Sequence, residues 1–86
     1  MSVHSEWELL KIADDIEQGD TVDVDAEGEI MLMMFKSESS DHITLIDTNG
    51  DVHKFNPETL ESLDGEYWTI EGKSGKQLPR KAFRKD

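Results

Sequence analysis

The chain has 86 residues and no cysteine, with 20 acidic side chains against 9 basic ones and a net charge of −11. A chain of this length carries one modest core, and without cysteine it has no disulfide scaffold, thiolate metal site or thiol nucleophile. The longest apolar run, Ile30 to Phe35, is strand-sized and far short of the roughly 20 residues that a membrane-crossing helix needs.

The opening residues, Met1 to Glu8, contain no basic region followed by an apolar one. A cytoplasmic location without a membrane partner is the expectation. The first predicted element is a helix. Ser5 can cap it, Glu8 completes a capping box, and Gly19 stands where a helix ends. Leu9, Ile12, Ala13 and Ile16 fall on one stripe at helical spacing, whereas Trp7 lies off it and is a candidate surface contact.

From Asp20 the period changes to two. Thr21 to Asp25 alternates, with Val22 and Val24 inward and Asp23 and Asp25 toward water. Ala26-Glu27-Gly28 reads as a turn. Glu29 to Lys36 is apolar on both faces, with Ile30, Leu32 and Met34 on one and Met31, Met33 and Phe35 on the other. Such a strand is covered on both sides. The first set is expected in the core, and the helix stripe is expected over the second.

His42 to Asp47 and Asp51 to Phe55 flank Thr48-Asn49-Gly50, a hairpin signal. A three-residue loop with Gly50 left-handed pairs Ile43 with Phe55 and Leu45 with His53, which keeps the apolar residues on one face. Asn56-Pro57 opens a short helical turn that runs toward Leu63. Glu66 to Glu71 is a fifth strand with Trp68 and Ile70 inward, and Gln77-Leu78 adds a brief last pairing. The expected core is Leu9, Ile16, Val22, Val24, Leu32, Leu45, Phe55, Trp68 and Ile70.

The fold expected is α+β: an N-terminal helix on a small, mainly antiparallel five-stranded sheet or partly open small barrel, with a short helical turn before the last main strand. Residues 1–79 form one acidic domain, and 80–86 form a short basic tail. The element order resembles that of Sm-like and some SH3-like small barrels, and the run Ile12-x₃-Ile16-x₂-Gly19-x₂-Val22-x-Val24 resembles the entry to an Sm-like barrel. The glycine and Phe-Asp spacing of an Sm-like second strand is missing, because Lys36 follows Phe35 and no glycine lies between Gly28 and Gly50. The resemblance implies architecture and carries no function.

The chemical motifs are incomplete. Gly72-Lys73-Ser74 ends like a phosphate-binding loop, but Tyr67 occupies the place of its first glycine. Asp23-Val-Asp25-Ala-Glu27-Gly28 opens like a calcium loop, but its twelfth position is Met34. His4, His42 and His53 lack the spacing of a zinc site, and no serine sits in a nucleophile elbow. The expectation is a non-enzyme with no cofactor and no metal.

Charge is divided along the chain. Residues 1–72 hold all the acidic residues but Asp86 and only Lys11, Lys36 and Lys54 as cations, whereas Lys73, Lys76, Arg80, Lys81, Arg84 and Lys85 crowd the end. The favoured reading is a non-catalytic adaptor or regulator, monomeric or weakly dimeric, that meets a protein partner through its acidic surface. The alternative is nucleic-acid binding through the tail. The candidate partner-binding residues are Trp7, Asp23, Asp25, Lys76, Arg80, Lys81, Arg84 and Lys85. Leu78, Pro79 and Phe83 predict that 76–79 lie ordered beside the fifth strand and that Phe83 touches the body.

Overall fold

The computed structural model describes residues 16–83. They form a five-stranded antiparallel sheet: β1 (Thr21–Ala26), β2 (Glu29–Glu38), β3 (Ile43–Ile46), β4 (Val52–Phe55) and β5 (Trp68–Lys73), in the spatial order β4-β3-β2-β1-β5. This corrects the α+β expectation. Among the described residues the one helical element is a 3-10 turn, Arg80–Phe83, after β5 rather than before it. The predicted N-terminal helix lies outside the described residues except for its last few, and those form a bend and turn. Gly19 takes φ 97 there, a backbone conformation that favours glycine.

The sheet is open and not closed into a barrel. β4 and β5 are its edges, and the connection between them makes only single bridges, Phe55 to Ser62 and Glu61 to Thr69. The expected helical turn before β5 is one hydrogen-bonded turn. The Asn56 side chain accepts from the Glu58 and Thr59 amides, and Leu60 N–H donates to the Asn56 carbonyl at 2.7 Å. Leu60 then takes φ 66. A left-handed leucine cannot continue a helix, and it also keeps this connection from pairing as a full strand.

The β1–β2 register decides which face is core. A two-residue turn, Glu27-Gly28, joins them with both residues at positive φ, so Val22 pairs with Met33 and Val24 with Met31. Paired residues share a face, so Met33 packs with Ile16, Val22, Val24, Ile43, Leu45, Phe55 and Ile70, with Met31, Phe35, Leu60 and Trp68 against the cluster. Leu32, expected in the core, lies on the opposite face opposite Asp23, and Leu9 lies outside the described residues. The β3–β4 hairpin has the expected register, with Ile43 opposite Phe55, Leu45 opposite His53 and Gly50 at φ 84.

The second face of β2, carrying Ile30, Leu32 and Met34, is covered in part by the C-terminal segment. Thr21 shares this face with Met34, and its hydroxyl accepts from the Leu78 amide at 2.9 Å. The 3-10 turn packs against β2, and Phe83 is buried outside the core cluster. A β2 apolar on both faces is thus served by the core on one side and by the chain's own end on the other.

Candidate functional site

Three parts of the second face bear on function: its clasped end, its open end and the acidic strand beside it. At the clasped end, the Gln77 side-chain amide behaves as a peptide group of an extra strand. Its Oε1 accepts from Thr21 N–H at 2.7 Å, and its Nε2 donates to the carbonyls of Thr21 at 2.9 Å and Ser74 at 2.7 Å. Gln77 and Leu78 therefore do not form the expected pairing beside β5: they bond to Thr21 of β1, through one side chain and the Thr21 hydroxyl and without a strand ladder. Each lost bond to a half-buried backbone group costs about 1–3 kcal/mol. Gln77→Ala is expected to destabilise the domain by at least that much and to raise amide hydrogen exchange across 78–83 by tenfold or more. Unchanged exchange there would show that Phe83 alone holds the segment.

The basic residues of this segment are placed as follows. Lys76, Arg80 and Lys81 are exposed along it, and Arg80 donates to the Gln18 carbonyl at 3.2 Å. Lys73 reaches Asp20 at 3.3 Å. The Glu17 amide, donating to Asp20 at 2.8 Å, is the main influence holding the Asp20 carboxyl below its ordinary range; burial opposes it and Lys73 adds to it. Trp7, Arg84 and Lys85 lie outside the described residues.

At the open end, Asp23 and Asp25 project from β1 onto the second face, opposite Leu32 and Ile30. Alternation with the buried Val22 and Val24 requires this placement. Ile30 is 58% exposed, and Asp25 is fixed by accepting the Gly28 amide at 2.8 Å. Among the described residues neither aspartate meets a cation; the ion pairs there are His53–Asp47 and Lys73–Asp20. Across the same face Met34 lies opposite Ile46 and Ile46 opposite Val52, which is 50% exposed. Sequence reasoning placed Asp23 and Asp25 outward but missed Ile30, because a strand apolar on both faces does not show which face is open.

On the core face the chain hides one polar cluster. Asp47, 5% exposed, directly follows β3. Its Oδ1 accepts from the amides of Asn49 at 2.8 Å and Asp51 at 3.0 Å, and its Oδ2 lies 2.7 Å from His53 Nε2. The His53 ring lies 5.1 Å from that of Trp68, so edge strands β4 and β5 meet through these two side chains. Burial alone would push the Asp47 carboxyl up, but the bonds from His53, Asp51 and Asn49 outweigh it and hold it below its ordinary range. Every fully buried side-chain polar atom among the described residues has a partner. No group of three or more His, Asp or Glu among them is arranged to hold a metal ion, and none of their helices is long and apolar enough to cross a membrane.

Comparison with protein-family models, with curated proteins and with solved structures finds no match to this chain.

Proposed function

We propose that the chain is a non-catalytic binding module, an adaptor or regulator whose acidic surface engages a basic partner protein. The observation that carries this reading is the cluster on β1 and its turn. Asp25 stands opposite an exposed apolar side chain, Ile30, and Asp23 opposite Leu32, with no cation of the described residues against the two aspartates. Exposed charge of one sign steers and selects partners, while a desolvated apolar side chain supplies affinity.

The test is affinity capture from the native host with the full chain at low and moderate salt. The expected catch is a basic protein that is lost as salt rises and lost with the doubly substituted Asp23→Asn, Asp25→Asn chain. A catch that disappears on nuclease treatment favours a second reading, nucleic-acid binding through the exposed Lys76, Arg80 and Lys81. The chain carries a net charge of −11, which repels a polyanion, and Arg80 is already engaged by Gln18, which ranks that reading second.

A further inference from the structure

Resting on that reading, we infer that the open end of the second face, Ile30 and Leu32 beside Asp23 and Asp25, docks an extended basic segment of a partner protein that carries a bulky apolar anchor. The chemistry of the occupant is written into the chain itself. One end of the same face already holds a basic segment with an apolar anchor, residues 76–83: its backbone is clasped to Thr21 through Gln77 and Leu78, Phe83 is buried on a turn packed against β2, and Lys76, Arg80 and Lys81 stay exposed without an ion pair among the described residues.

The remainder of the face adds two carboxylates to an apolar surface and carries no occupant among the described residues. Ile30 is 58% exposed and Leu32 half-buried, and the two aspartates stand across from them on the adjacent strand. An apolar side chain in water loses nothing by being covered, and the carboxylates select for a cationic cover. An acidic or neutral segment would bury those carboxylates without compensation. β1 is hydrogen-bonded on both sides, to β2 and to β5, so docking there is by side chains and not by strand addition.

The experiment uses the full chain and, as probe, a synthetic peptide copying residues 76–85, followed by NMR titration. Shifts are expected at Asp23, Asp25, Ile30 and Leu32, with the signals of Gln77 and Phe83 unmoved. Affinity should fall about tenfold in Ile30→Lys, as for loss of a central apolar anchor, and several-fold between low and moderate salt as exposed charges are screened. A peptide with Leu78→Ser and Phe83→Ser should bind about tenfold more weakly, on the same reasoning. Asp23→Asn with Asp25→Asn removes the charge while keeping the acceptor for Gly28, so weakened binding in that chain reports charge and not a broken turn.

Three results overturn the inference. Shifts confined to Gln77, Leu78 and Phe83 would mean that the probe only exchanges with the chain's own segment. Salt-dependent binding that maps elsewhere would remove this site and leave the acidic-module reading standing. No binding at any salt would remove this site and leave the acidic-module reading to the capture experiment.

Discussion

Replacing Phe55 by alanine is expected to cost about 3–5 kcal/mol, the range for removing a buried aromatic ring from a packed core. Phe55 is fully buried at the end of β4, opposite Ile43, and its backbone bridges to Ser62 in the connection that leads to β5. The ring therefore fills the side of the sheet where no strand ladder closes the structure. A chain of this length has a stability of roughly 4–13 kcal/mol, so the substitution removes a large share of it. Leu32→Ala is the matched contrast. Leu32 is half-buried on the second face, and its truncation is expected to cost less than about 1.5 kcal/mol. Urea titration of both variants decides the matter. Equal costs would mean that the second face is packed as tightly as the core, and the docking surface inferred above would then be closed.

That contrast also marks where the sequence is legible and where it is not. The β3–β4 hairpin can be read from residues alone, because Asn49-Gly50 marks the turn and only one loop length keeps Ile43, Leu45 and Phe55 together. β2 lacks that information: Ile30 to Phe35 is apolar at every position, so alternation cannot choose a face. The missing datum is the length of the β1–β2 turn. Glu27-Gly28 is a two-residue turn with both residues at positive φ, a conformation usually signalled by Asn or Asp in the first place and costly for glutamate. Reading Ala26 into the turn hides the pairing of Val22 with Met33, and the core assignment of β2 moves to the wrong side.

The tail was legible in outline, because a bulky apolar residue in a basic run implies a surface to cover, and Phe83 is buried. Its attachment was not. Nothing in the composition of Lys76-Gln77-Leu78 shows that a glutamine amide will substitute for a strand. The open candidate site was half legible for a related reason. Alternation with Val22 and Val24 sends Asp23 and Asp25 outward, but their neighbours Leu32 and Ile30 are named only by the register.

Removing the His53 side chain is expected to cost about 2–3 kcal/mol, since it leaves Oδ2 of a largely buried carboxylate without its partner. The Asp47 side chain is 6% exposed and that of His53 16%, so water cannot fully replace the lost bond of 2.7 Å. His53→Ala also withdraws a ring from Trp68, and with it the side-chain contact between the two sheet edges. Trp68 fluorescence, read in a Trp7→Phe background, should shift toward the emission of an exposed indole well before global unfolding in urea. The pH dependence follows from Asp47. Its folded carboxyl is held below its ordinary value of 3.8, so the stabilisation it provides is complete above that value and is lost as pH falls through the lower, folded one. Asp47→Asn keeps an acceptor for the Asn49 and Asp51 amides and removes the charge. The stability advantage of the native chain over Asp47→Asn should therefore shrink as pH falls below about 4. An advantage that grows as pH falls below about 4 would mean that burial, not the bonds from His53, Asp51 and Asn49, dominates the carboxyl's environment.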